Sequence, residues 1–339
     1  RPVIFCTWEW IYTWWECFGK DYRLLVLFVY NQTEIVGILP LVLHKTVKNN
    51  WLGVRVLSFC GSAELYPDHL DLICSDSESE PCMDAIFDFL LSEYKDWDIL
   101  CLNSLAEGAN LISWLNRKKL SFGFETRQSA VAPFIPISGS FEEYITRIFN
   151  GKERYNIRKK QKRLYEQYGV RYASYDPSQD YEALECLFDL HERRAISKKI
   201  VSTFRGQDLL GFHQRLLQKI NKDDGAWLRS LRNEKEVIAV FYGFAIGKRL
   251  LYYQMGFDPA WEHNSPGMVL FYEVINEAFS KGYLEFDFLE GDEEFKYRWT
   301  KQQRILLTAN IYNKTIRGIL SRNVYRLRAF VKRIIKKAG

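Results

Sequence analysis

The sequence lacks the patterns that hold metals, disulfides or bilayers. Its seven cysteines, Cys6, Cys17, Cys60, Cys74, Cys82, Cys101 and Cys186, are odd in number and include no C-x-x-C pair. Most sit in apolar runs such as "DILCL", the pattern of buried thiols in a reducing compartment. The five histidines are scattered and none forms H-E-x-x-H, so no metal is expected. The longest apolar runs, "LLVLFVY" and "IVGILPLVL", fall well short of the ~20 residues that cross a bilayer. Arg1-Pro2 has no signal-peptide character. A cytoplasmic protein is therefore expected, and a chain that opens on arginine is expected to continue upstream.

Acidic residues are almost missing from two segments. Residues 152–163 hold seven basic side chains and one acid, and 314–339 hold nine and none, so they carry +6 and +9. Against a total of +5, the rest of the 339-residue chain carries −10. A mildly acidic body with two basic helices is not the composition of a diffusely basic nucleic-acid binder. What is abundant is apolar: 47% of the residues, enough for one large core or two ordinary ones.

An internal repeat organises the chain. "VYNQTEIVGILP" (29–40) and "LRNEKEVIAVFY" (231–242) share Asn-x-x-Glu before alternating β-branched and small residues, with Asn31 and Asn233 in matching places. Both predict a hairpin turn feeding a strand. Each is preceded by an apolar run and, further upstream, by a helix rich in large side chains, 5–18 and 181–195. Each is followed by further strands, a helix (81–94; 267–280) and a last strand ("WDILCLN"; "YLEFDFL"). The order predicts two copies of one αβ unit in tandem. The expected fold class is α/β, with mixed α+β sheets. Three domains are expected: 1–135, 136–313 and a tail helix 314–339, with the boundary of the halves near 135–150.

In the second copy, turns at 232–236 and 247–248 make the first strands antiparallel. The last strand follows a helix, so only a right-handed crossover can place it parallel to the strand 249–258. Period two in "YLEFDFL" puts Leu284, Phe286 and Phe288 on one face and Tyr283, Glu285, Asp287 and Leu289 on the other. Between strand and helix stands "SPG". Ser265 suits a cap, Pro266 the first turn, and Gly267 a backbone that a ligand approaches closely. Unpaired amides at a helix start suit a phosphate, although the same three residues are also ordinary helix-start punctuation.

The stretch "HNSPGMVLFYEVINEAFSKGYLEFDFLEGDEEFKYRWT" (263–300) resembles the GNAT-type acetyltransferases named for cellulose and exopolysaccharide biosynthesis (CelD/BcsL type), relatives of the FemAB aminoacyl transferases. "YNIRKKQKRL", "LFDLHERR", "GILPLVL" and "LSFCGSAELYPDHLDLI" are similar to the same family, so the likeness reaches residue 313 or so. It implies tandem GNAT domains, with the usual R/Q-x-x-G-x-G/A loop absent. It also implies acetyl-CoA or another acyl-CoA as donor. The pantetheine arm would lie along Met255, Gly256 and Phe257, and the pyrophosphate at Ser265, Pro266, Gly267 and Met268.

Acyl transfer needs a base for the nucleophile, polarisation of the carbonyl and a proton for the leaving thiolate. Asp287 is the first candidate base and Glu290 the second, with His263 in the preceding loop a third. Asp287 also suits a plain strand aspartate bonded to backbone. Tyr252 and Tyr253 face opposite sides of their strand; Tyr253 is the candidate donor to the thiolate and Tyr252 a substrate contact, with packing the alternative for both. The resemblance makes Lys296 a phosphate or substrate contact; by itself it is half of a surface ion pair. Arg193 and Arg194 are candidates to guard the acceptor, or form the wet face of their helix.

Residues 316–335 alternate Ile316, Ile319, Leu320, Val324, Leu327, Phe330, Val331, Ile334 and Ile335 with basic residues at helical spacing. Such a helix packs on its own domain or lies on an anionic membrane. The basic segment 152–163 suits the 3′-phosphate of coenzyme A, an RNA or a solvated face. Three functions stay open: acyl-CoA transfer to an amine or hydroxyl of a sugar-derived, lipid-linked or cell-envelope precursor; FemAB-like transfer from aminoacyl-tRNA; and a silent tandem scaffold at a membrane.

Overall fold

The computed structural model describes residues 3–45, 53–118, 123–176, 181–202, 204–220 and 225–338. The chain divides into two compact units: Val131–Arg304 with Arg1–Ile4, and Phe5–Ala130 with Ile305–Gly339. Spatial grouping and chain order thus differ at the end, because the strand Gln303–Tyr312 and the helix Ile316–Ala338 count mainly with the earlier half.

In the unit Val131–Arg304 the strands lie side by side in the order Phe134–Pro136 (the end of Gly123–Pro136), Glu285–Asp287, Arg249–Phe257, Val237–Ile246, Ala226–Arg232, Arg171–Tyr175. One neighbouring pair is parallel: Arg249↔Glu285, Leu250↔Phe286 and Leu251↔Asp287. The crossover helix Pro266–Ser280 joins them, as its apolar sequence predicts. Val269, Leu270, Phe271, Val274, Ile275 and Ala278 on it are buried against the sheet. Full burial of each large one is worth roughly 1.5–3 kcal/mol.

The hairpin after Ala226–Arg232 is closed by Asn233, whose Oδ1 accepts from the amides of Lys235 and Glu236, 2.9 Å each. That is the reason for an asparagine there. Its counterpart joins Arg23–Asn31 to Glu34–Lys45, with Gln32 left-handed at φ 54°.

The second unit has the sheet order Arg23–Asn31, Glu34–Lys45, Arg55–Phe59, Ile99–Ala106, Gln303–Tyr312. Here Arg55–Phe59 and Ile99–Ala106 are the parallel pair, and the helix Ser79–Ser92 crosses between them. It begins two residues before the position expected from Pro81.

Candidate active site

The strand Arg249–Phe257 carries a β-bulge, with its register to Val237–Ile246 shifting between Tyr252 and Gln254. A bulge reverses the alternation of side chains beyond it. Leu250 and Tyr252 face the crossover helix, and after the bulge so does Met255. Gly256 turns the other way, where a Cβ would stand 3.1 Å from Leu190 and 3.2 Å from Leu187 of the helix Tyr181–Ser197.

The two tyrosines part as expected. Tyr252 is buried among Phe271, Phe288 and Phe295, and burial pushes its hydroxyl pKa up. Tyr253 lies against Phe204, His213 and Phe244.

Pairing of Arg249–Phe257 with Glu285–Asp287 stops at Leu251. The chain after Asp287 follows Gly123–Pro136 instead: the Phe288 amide donates to Pro133 O and that of Gly291 to Val131 O. The two parallel strands therefore separate, and an edge of Tyr252–Phe257 is left without a partner strand among the described residues. The Met255 amide is held locally, by Gln254 Oε1 at 2.9 Å.

Two non-glycine residues of the adjoining loops are left-handed, Ser265 at φ 50° and Leu289 at φ 55°. Such strain persists where its surroundings impose it, as functional loops do.

Asp287 is fully buried and fully committed. Its Oδ2 takes Arg249 at 3.0 Å and Arg304 at 2.8 Å, and its Oδ1 accepts the Leu289 amide at 2.8 Å. Glu285 joins both arginines, and Arg304 lies 3.7 Å over the Phe134 ring. This is a structural pin between neighbouring strands. Leu284, expected beside Phe286 and Phe288, is 64% exposed, one residue before the strand Glu285–Asp287 begins.

Lys296, on the short helix Glu294–Tyr297, is 2% exposed. Its Nζ donates to Glu290 O at 2.6 Å and pairs with Glu293 at 2.8 Å. Gly291 makes room for it, since a Cβ there would stand 2.7 Å from Nζ. The neighbouring Phe295 stacks on Phe271 and meets Tyr252 edge-on, which sets this loop beside the parting of the strands. Glu290 is exposed at the surface, yet partial desolvation, the largest effect, raises its pKa above the ordinary value, with Lys296 opposing and Glu293 adding to the rise.

At the start of the crossover helix, Gly267 lies close against the strand Arg249–Phe257. A Cβ there would stand 3.2 Å from Met255 Cε and 3.4 Å from Phe257 Cδ1, so the glycine lets helix and strand pack. The Met268 amide is taken by Ser265 O. No position-specific signal marked Lys160, whose Nζ reaches Ser265 Oγ at 2.5 Å from the basic helix Gly151–Tyr168. Pro266 and Gly267 are buried, and His263 is exposed and bonded to Asn264 Nδ2 at 2.9 Å.

Arg193 is paired with Asp189 and Asp258, while Arg194 lies 4.7 Å over the Phe257 ring. Arg194, on the helix Tyr181–Ser197, thus covers the last residue of the strand Arg249–Phe257. Separately, a cleft of about 920 Å³ lined by Tyr144, Arg147, Tyr297, Arg298 and Lys301 includes neither Phe295 nor Lys296, so its size marks no chemistry.

Residues 151–297 match the family model for the acetyltransferase (GNAT) domain. The chain carries a GNAT-type acyltransferase domain. FemX is similar in structure at 12% identity, covering 96% of this chain and 94% of FemX with a TM-score of 0.66. So is the C-terminal domain of a putative lysylphosphatidylglycerol synthetase from Agrobacterium fabrum, at 10% identity over 94% of this chain and 96% of that one, TM-score 0.55. L-PGS from Bacillus licheniformis shares 13% identity over 96% and 98%, TM-score 0.52. At such identities the likeness is one of fold. No curated protein matches the chain significantly.

Proposed function

We propose that the GNAT-type domain moves an acyl group from acyl-CoA to an amine or hydroxyl acceptor, with the donor carbonyl held where the parallel strands separate. The observation that carries this reading is the buried Lys296 ammonium beside that separation. Its weakest bond, to Leu289 O at 3.4 Å, is the one a thioester oxygen would displace, and a cation fixed in a site poor in water then stabilises the oxyanion that forms as the nucleophile adds. The new bond forms to the acyl carbon, and the carbon–sulfur bond then breaks.

Glu290 rather than Asp287 takes the proton from the nucleophile and returns it to the leaving thiolate. A raised carboxyl pKa brings a base nearer to working pH, whereas Asp287 is bound by two guanidinium groups. The donor's extended arm would use the open edge of Tyr252–Phe257, displacing Gln254 from the Met255 amide. Lys160 and Arg194, at the two ends of the loop before the crossover helix, would hold its anionic linker. Gly267 keeps its packing role.

The resemblance of 263–300 to polysaccharide-biosynthesis acetyltransferases supports a sugar-derived, lipid-linked or cell-envelope acceptor. A second reading, transfer from aminoacyl-tRNA, is favoured by the exposed Lys152, Arg158, Lys159, Lys162 and Arg163 on the helix Gly151–Tyr168. The fold relation to FemX, and to a synthetase whose name joins lysine to a phospholipid, points the same way.

Melting curves with acetyl-CoA, longer acyl-CoA and aminoacyl-tRNA separate these. A ligand at about 100 times its Kd stabilises the fold by about 2.7 kcal/mol. A rise with acyl-CoA that resists salt supports the first reading. A rise only with tRNA, falling steeply with salt as multiple phosphate contacts demand, supports the second. No rise with any of them leaves the silent scaffold.

A further inference from the structure

An amphipathic helix of a folded domain ordinarily turns its apolar face inward. The helix Ile316–Ala338 does the reverse. Its start is pinned to its own unit: Asn313 Nδ2 donates to Trp97 O at 2.9 Å, and Thr315 Oγ1 to Asp98 Oδ1 at 2.7 Å. Gly318 is buried, and a Cβ there would stand 2.4 Å from Asn313 O and 2.8 Å from Asp98 O. One turn on, Arg322 lies so close to Gly123 that a Cβ on that glycine would be 2.3 Å from its Cζ. Another turn on, Arg326 pairs with Glu125 at 2.9 Å. Gly318, Arg322 and Arg326 form one row at spacing four, so this small and polar face is the docked one.

The opposite face is left uncovered. Ile316 is 79% exposed, Leu327 64% and Phe330 62%, and Leu320, Val324 and Val331 are exposed too. The side chains of Ile334 and Ile335 lie outside those described. A continuous apolar stripe in water is unfavourable and marks a surface that something covers.

We propose that this face seats on an anionic membrane surface. The charge on the segment selects that occupant. Residues 314–339 carry nine basic side chains and no acid. By helical spacing, exposed Arg317 and Arg328 border one edge of the stripe. A helix lying in the headgroup layer needs this layout, apolar residues in the acyl boundary and cations at its margins. A second copy of the chain would bring the same nine positive charges to the face and be repelled. Among the described residues no helix is long and apolar enough to cross a membrane, so the contact is peripheral. The proposal holds whichever acyl donor the site uses.

Flotation of the full chain with vesicles tests it. Binding is expected to vesicles with about one third phosphatidylglycerol, weakening with salt, and not to pure phosphatidylcholine. The double substitution Leu327→Glu with Phe330→Glu is on exposed positions, so an unchanged melting curve is expected while vesicle binding falls at least about tenfold. Failure to float with the anionic vesicles overturns the proposal, as does equal flotation of the double variant. A dimer in sedimentation that the double variant converts to monomer would also overturn it, because the face would then join two copies.

Discussion

The chain builds the same strand–helix–strand crossover twice, and the two copies end differently. Arg55–Phe59 and Ile99–Ala106 pair in parallel over three residues, as do Arg249–Phe257 and Glu285–Asp287. In the first copy the last strand runs on for eight residues and is paired on its other edge by Gln303–Tyr312, from Ile99↔Tyr312 to Ala106↔Leu306. It leads to the helix Asn110–Arg117, whose first amides are already filled by Asp71, at 2.6 Å to Asn110 and 3.1 Å to Leu111. Burial pushes the Asp71 carboxyl pKa up. In the second copy the last strand ends after three residues, and the following loop brings back Glu290 and Lys296. The same topology leaves an open strand edge with a buried lysine beside it only where the last strand is cut short.

The sharpest way to break this comparison is Lys296→Ala, expected to lower kcat about a thousandfold by analogy with loss of an oxyanion donor. Glu107→Gln, at the matching exit of the first copy, should leave kcat unchanged. Equal effects of the two would place the chemistry elsewhere. Next in size, Asp287→Asn breaks a fully buried ion pair and should cost about 3 kcal/mol in denaturant unfolding. The turnover of the folded fraction should suffer less than in the Glu290 variant; a turnover loss without destabilisation would restore Asp287 as the base.

Glu290→Gln should reduce kcat about a hundredfold and abolish the acidic limb of the pH profile, which rises as this carboxyl ionises. The sign for stability is opposite. The folded carboxyl has a raised pKa, so ionisation favours the unfolded chain. The cost is absent below the unfolded pKa and complete above the folded one. The variant should therefore melt slightly higher at neutral pH. An unchanged pH profile would remove Glu290 from the role. The smallest effect is for Gly267→Val, where the added Cβ meets Met255 and Phe257 and should cost about 1–3 kcal/mol by overpacking.

Much of the fold around the candidate site was legible from the sequence. Turn residues such as Asn233 carry their own local hydrogen bonds, and the order of strands around an apolar helix leaves only a parallel crossover. Tyr252 and Tyr253 part because they are adjacent on a strand. Lys160 was not legible as a neighbour of Ser265, because 105 residues separate them and a basic helix offers many equivalent lysines. Nor was the commitment of Asp287, since its partners come from another strand and from Arg304 beyond the loop.

Local patterns are enough to set the crossover, the hairpins and the amphipathic character of the last helix, because period, turn chemistry and caps act over a few neighbours. Which carboxylate is locked and which lysine is buried is visible only in the folded structure. It alone shows that a side chain at Gly267 would crowd Met255 and Phe257, and that the last helix docks by its polar face. Those outcomes depend on which distant groups compete for the same space and the same hydrogen bonds, and no local pattern records that competition.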